Sequence, residues 1–264
     1  MNQYDDELMQ IDFFKLHPTF LPFIGDDYNE YRILHIGESH FIPNYPLGCD
    51  KKNIDKTNEI TLDDFDGWWN GRINNKLLQY KGWFNTEEVV RWYMDGHRDK
   101  SHGIFTNTLK SFCKSVVPEE SFDNISDLNS KKYNYFAFMN FYQLPSLYDG
   151  VNFTEALYCG GHFLGWSDSR IETMKVEAIE KSLKVLKATV DVLDPKVIVV
   201  TSMEVYDICQ EYKNDLASFF SDKETIWVDH PGSPWWNRIK QGANKPSRVI
   251  FEENLKAIYS GKGD

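Results

Sequence analysis

Apolar, β-branched and aromatic residues gather in four short, nearly continuous runs along the chain: Arg32–Ile36, Tyr135–Phe141, Val197–Thr201 and Thr225–Val228. A strand with one wet face alternates polar and apolar positions. An unbroken run is what a strand buried on both faces requires, as in a parallel sheet. Helical spacing fills the gaps. From about Asp168 to Leu193, Ile171, Met174, Ala178, Ile179, Leu183, Leu186, Val190 and Leu193 recur mostly at steps of three or four and make one apolar stripe, with caps offered at Ser167–Ser169 and a stop at Pro195. Further helical patterns run from Met203 to about Phe220, over Arg248–Tyr259, and, between the first two strands, over Thr86–Met94 and Phe105–Val116.

Alternation of strands and helices predicts an α/β fold: a three-layer α/β/α arrangement around a central, mostly parallel four-stranded sheet, in a single domain over residues 1–264. The pattern breaks between about 43 and 99, a polar, Trp-rich insertion (FDGWWNGR, then KGWF) that reads as a cover over a cleft. Ligands of open α/β sheets bind beyond the carboxyl ends of the strands. The informative residues are therefore Gly37–Phe41, Asn140–Pro145, Ser202–Glu204 and Asp229–Trp236.

Composition narrows the class. Hydrophobic residues at 41% and charged residues at 26% are ordinary for a globular protein and argue against disorder. The start, MNQYDDELMQ, has neither a basic region nor an apolar one, and no apolar run is long enough to span a bilayer. The four cysteines are scattered and include no CxxC pair, so they read as reduced thiols in a cytoplasmic protein. The formal net charge of −11 works against nucleic-acid binding. Local charge differs: Asn237–Arg248 holds Arg238, Lys240, Lys245 and Arg248 and no acid, and His97–Ser115 holds four bases against Asp99.

Three strand ends carry candidate chemistry. After the first, Gly37 would turn the chain and release Glu38 and His40, an acid and an imidazole able to handle water; a turn in which Glu38 accepts backbone amides explains the same residues. The second ends in FMNFYQLP, where the Asn140 amide can both donate and accept and Phe141 and Tyr142 offer aromatic faces; a structural asparagine fits equally. The fourth ends in VDHPGSPWWNRIK: His230, a rigid turn, then Trp235, Trp236 and cations, a set suited to a phosphate backbone and an apolar wedge against bases.

The stretches GESHF (Gly37–Phe41), FMNFYQ (Phe138–Gln143) and HPGSP (His230–Pro234), with VIVVTS as a further core strand, resemble the motifs of the uracil-DNA glycosylase superfamily in their order. The chain departs from them at Ser39, at His40 and in the additional Gly232. The resemblance implies a DNA glycosylase that hydrolyses the N-glycosidic bond of a flipped uracil or modified base, acting without a cofactor on duplex or single-stranded DNA as a monomer. It implies that Glu38, His40 and His230 are catalytic. Gly37, Ser39, Phe41, Asn140 and Tyr142 would bind the base, and Ser233, Trp235, Trp236, Arg238 and Lys240 the DNA. Two alternatives stand beside it. One is a non-catalytic nucleic-acid-binding protein of the same fold. The other is a metal-dependent hydrolase of the erythromycin-esterase-like type, which a Gly-Glu-Ser-His string also resembles and which would need ligands such as Asp229 or His230.

Overall fold

The computed structural model describes residues 3–42, 60–72, 75–80, 84–95, 103–118, 133–147, 151–212 and 222–260. Cys49, the end of the helix expected to reach Phe220, and residues 43–59, 73–74, 81–83 and 96–99 of the insertion lie outside the described residues. The elements follow as α1 (Asp5–Leu8), α2 (Asp12–Leu16), β1 (Phe23–Ile24), α3 (Tyr28–Tyr31), β2 (Ile33–Phe41), α4 (Leu62–Trp68), α5 (Thr86–Met94), α6 (Gly103–Val116), β3 (Phe136–Ser146), α7 (Phe153–Phe163), α8 (Asp168–Leu193), β4 (Val197–Val200), α9 (Met203–Glu211), β5 (Glu224–Trp227) and α10 (Ser247–Tyr259). None of the described helices is long and apolar enough to cross a membrane.

The fold is α/β, as expected, but the sheet has five strands in the order β1-β3-β2-β4-β5, not four. β2 runs parallel to β4 and β4 to β5, with Leu34 opposite Ile198 and Ile198 opposite Thr225. β1 pairs antiparallel with β3, Phe23 opposite Phe138, which makes the sheet mixed. Two residues show no period, so β1 leaves no trace in the sequence pattern. A second correction concerns Gly37. It does not turn the chain: it sits buried inside β2, which continues to Phe41, and its φ lies outside the left-handed region. Asn140 likewise falls inside β3, whose eleven residues are all buried, rather than after it.

The chain divides into two compact units, each drawn from three segments: Met1–Leu21, Glu38–Glu87 and Asn140–Leu193 form the first, and Pro22–Gly37, Glu88–Met139 and Asp194–Asp264 the second. The first has an aromatic core. His17 stacks on Trp68 with ring centroids 3.9 Å apart, and Trp68 Nε1 donates to the Gln143 carbonyl at 2.9 Å. Thr61 and Asp64 form a capping box that starts α4 and carries Phe65 and Trp68 into this core. That part of the insertion is therefore interior, not a cover. The eight stripe residues of α8 are all buried, as their spacing predicted.

The second unit is built around Phe105, Phe112, Tyr133, Phe136, Val197 and Phe251. His35 of β2 is enclosed there with its polar atoms satisfied. Thr201 Oγ1 donates to the Ile36 carbonyl at 3.0 Å, so it accepts from His35 Nε2, also at 3.0 Å, and Tyr133 OH is left to serve Nδ1. α10 is tied to α6 through Glu252, which receives Lys114 at 2.7 Å.

Candidate functional site

The strand-borne candidates belong to the first unit. Glu38 and Ser39 are half-buried on β2, and Glu38 Oε1 accepts the Phe153 backbone amide at 2.8 Å. Phe153 is the first residue of α7, whose start is also capped by Asn152 accepting from the Glu155 amide. The carboxylate thus stands at a helix N-terminus, where partial positive charge favours it. His40 does not accompany it. Its ring is buried, its Nε2 lies 3.1 Å from Thr86 Oγ1, and Phe20 meets it edge-on at 4.8 Å. Burial pushes its pKa down to about 4, so the imidazole is neutral near pH 7.

Asn140 is 9% exposed; its backbone carbonyl accepts from Gln143 Nε2 at 2.6 Å, and its carboxamide makes no hydrogen bond to another described residue. A carboxamide with no partner among the described residues is able to read a ligand edge. Tyr142, expected to stack on a ring, is fully buried and already stacked on Phe153 at 3.7 Å, so that role is withdrawn. Phe41 at the end of β2 keeps 42% of its surface exposed and is the aromatic face that remains open. Gln143 went unnoticed in the sequence: it is buried, and its Oε1 has no partner among the described residues.

The loop-borne candidates belong to the second unit. Asp229 accepts from Ser247 Oγ at 2.8 Å, while its own amide donates back to that oxygen at 3.1 Å, which joins the two ends of the loop. His230 Nδ1 accepts the Gly232 amide at 3.0 Å. An acceptor at Nδ1 leaves the proton of the neutral ring on Nε2, so His230 presents a fixed N–H donor. Its residue surface is exposed, yet enough protein surrounds the ring that desolvation lowers its pKa from the ordinary value. The Ser233 amide donates to the His230 carbonyl at 2.8 Å. Ser233 Oγ is shielded and has no partner among the described residues.

Trp235 is 44% exposed, but Trp236 is buried at 1% and packs on Phe251, so it is a core residue and not a wedge. Arg238 and Lys240 are exposed, Lys240 3.3 Å from Asp229. Asn107 of α6 was not singled out by the sequence. It donates to the Pro231 carbonyl at 2.6 Å and fixes the turn that follows His230. Nothing marks it in the sequence, because the contact joins residues 124 positions apart.

Among the described residues no group of three His, Cys, Asp or Glu is placed to hold a metal ion. No family model, curated protein or solved structure matches the chain. The candidates of each unit are therefore read from their own chemistry: a carboxylate at a helix start, an amide and an open ring in the first, and a neutral imidazole donor followed by an exposed tryptophan and two cations in the second.

Proposed function

We propose that the protein is a DNA glycosylase of the uracil-DNA glycosylase kind, with the three-layer α/β/α architecture of that superfamily, and that it hydrolyses the N-glycosidic bond of a base flipped from DNA. The observation that carries the reading is His230. A neutral imidazole whose Nδ1 accepts the Gly232 amide carries its proton on Nε2 and is a hydrogen-bond donor there, not a base.

In the reaction the C1′–N bond breaks with its electron pair leaving on the base, water adds to C1′, and the proton it loses finally goes to the base. Positive charge grows on the sugar and negative charge on the departing ring. Glu38 stabilises the first, and His230 Nε2–H the second, at a base oxygen. Asn140 pairs with the polar edge and Phe41 covers the face. Trp235 fills the gap left in the duplex, while Arg238 and Lys240 meet phosphates; Ser233, whose hydroxyl is shielded and whose amide is held by the His230 carbonyl, shapes the turn instead. Extrusion of the base is required because its bond to sugar is otherwise shielded by stacking.

The test is mass spectrometry of bases released from single-stranded and duplex oligonucleotides that contain uracil or modified bases. Glu38→Gln, Asn140→Ala and His230→Ala should keep native circular dichroism. Loss of one such electrostatic contribution lowers release roughly 100- to 1000-fold for Glu38 and His230. Unchanged release by both variants would end the assignment. The engagement of Glu38 with the Phe153 amide favours a second reading, a non-catalytic DNA-binding protein, and that reading holds if the wild type binds DNA and releases no base.

A further inference from the structure

A hollow of about 310 Å³ opens in the first unit between α2, Trp69 and the middle of α8, at the low end of the volumes that hold small ligands, roughly 300–1,000 Å³. None of the residues proposed above lines it. Its floor is apolar: Phe13, Leu16, Trp69 and Val185. Leu16 keeps 44% of its surface in solvent, a large apolar side chain at the mouth of an apolar depression.

Three charged residues stand around this floor, Asp12, Lys181 and Lys184. Two are already matched. Asp12 is 3.0 Å from the Lys15 ammonium. The Lys181 ammonium is 2.5 Å from Glu177 and 4.8 Å from the centroid of the Trp69 ring. Lys184 is exposed and makes no ion pair with a described residue. The hollow thus combines an apolar floor with one unmatched positive charge.

We propose that this hollow binds a small amphipathic carboxylate, its alkyl or aryl body against Phe13, Leu16 and Val185 and its carboxylate on Lys184. The charge decides between ligand classes: an amine of the same shape is repelled by Lys184, and an alcohol gains the floor without the ion pair. The site is independent of the glycosylase reading.

The experiment titrates the full chain with octanoate, octanol and octylamine by isothermal calorimetry, with intrinsic tryptophan fluorescence as a second readout. Octanoate should saturate one site and bind several-fold more tightly than octanol, with octylamine weakest. Lys184→Glu should weaken octanoate about fivefold, the scale of a partly exposed ion pair, and leave octanol unchanged. Leu16→Asp should weaken both octanoate and octanol. Both positions are exposed, so circular dichroism and melting temperature should match the wild type. Absence of saturable octanoate binding, or equal octanoate affinity in Lys184→Glu, overturns the proposal. Indifference to Leu16→Asp moves the ligand elsewhere and overturns it too.

Discussion

His35 and His40 lie on the same strand and are both enclosed, His35 with a pKa lowered to about 3 and His40 to about 4, chiefly by burial. Each is neutral in the folded protein, whereas in the unfolded chain each takes a proton below about pH 6.5. As pH falls through that value the unfolded state binds more protons, so stability present above it is lost toward pH 4. Each histidine removes about 3 kcal/mol by then. Urea midpoints should drop steeply between pH 6.5 and 4, and His40→Gln should flatten the drop; a midpoint independent of pH over that window rules the account out. His230 carries a different residue-scale prediction. A Cβ on Gly232 would come within 3.1 Å of the His230 Nδ1 and Cε1 atoms, so in Gly232→Ala the ring must give by a few tenths of an ångström against the amide that holds it. Asn107→Ala frees the Pro231 carbonyl and loosens the same turn. Both variants loosen the turn around the ring and let water reach it, so the His230 pKa, lowered by desolvation and followed by NMR, should rise toward the ordinary histidine value. A purely structural role for Asn107 would lower the melting temperature and leave that titration in place.

At the scale of elements, the start of α7 is where structure and proposed chemistry meet. Asn152 caps the helix at the Glu155 amide and Glu38 accepts the Phe153 amide. Asn152→Ala should lower stability by about 1 kcal/mol, as N-cap deletions do, with base release unchanged. Glu38→Gln keeps an oxygen acceptor for the amide and should unfold near the wild-type denaturant concentration, so its loss of activity reports on charge alone. The long elements were legible: the stripe of α8 needs only its own sequence, because an amphipathic helix is defined by local spacing. The continuations of β2 through Glu38, Ser39 and His40, and of β3 beyond Phe141, were not. Pairing with neighbouring strands decides them, and polar residues in a strand look like its end. Trp68 shows the same limit. Its surroundings, Asp66, Gly67 and Asn70, read as loop, although Thr61 and Asp64 form the capping box that starts α4.

For the whole molecule, the proposed activity requires a chain of net charge −11 to meet a polyanion. The legible part of the site was the run of chemistry after β5; what the sequence hid was which members are interior, since Trp235 and Trp236 are indistinguishable until packing leaves one 44% exposed and the other 1%. The same applies to cations. Arg238 is exposed, and Lys240 is exposed but 3.3 Å from Asp229. The repulsion from the rest of the surface acts at long range and is screened beyond about 10 Å in 0.1 M salt, whereas direct phosphate contacts persist. Duplex affinity should therefore fall with salt along a shallow line. Each phosphate contact contributes a slope of about −0.9 in log affinity against log salt, so one or two contacts give a total between about −1 and −2. Arg238→Gln should remove about one unit of slope and weaken every sequence alike. Trp235→Ala should leave the slope untouched and lower affinity only for duplexes from which a base is flipped, because an apolar wedge releases no counterions. A slope steeper than about −4 would mean that cations outside this loop make most of the contacts, and the assignment of phosphate binding to Arg238 and Lys240 would have to be abandoned.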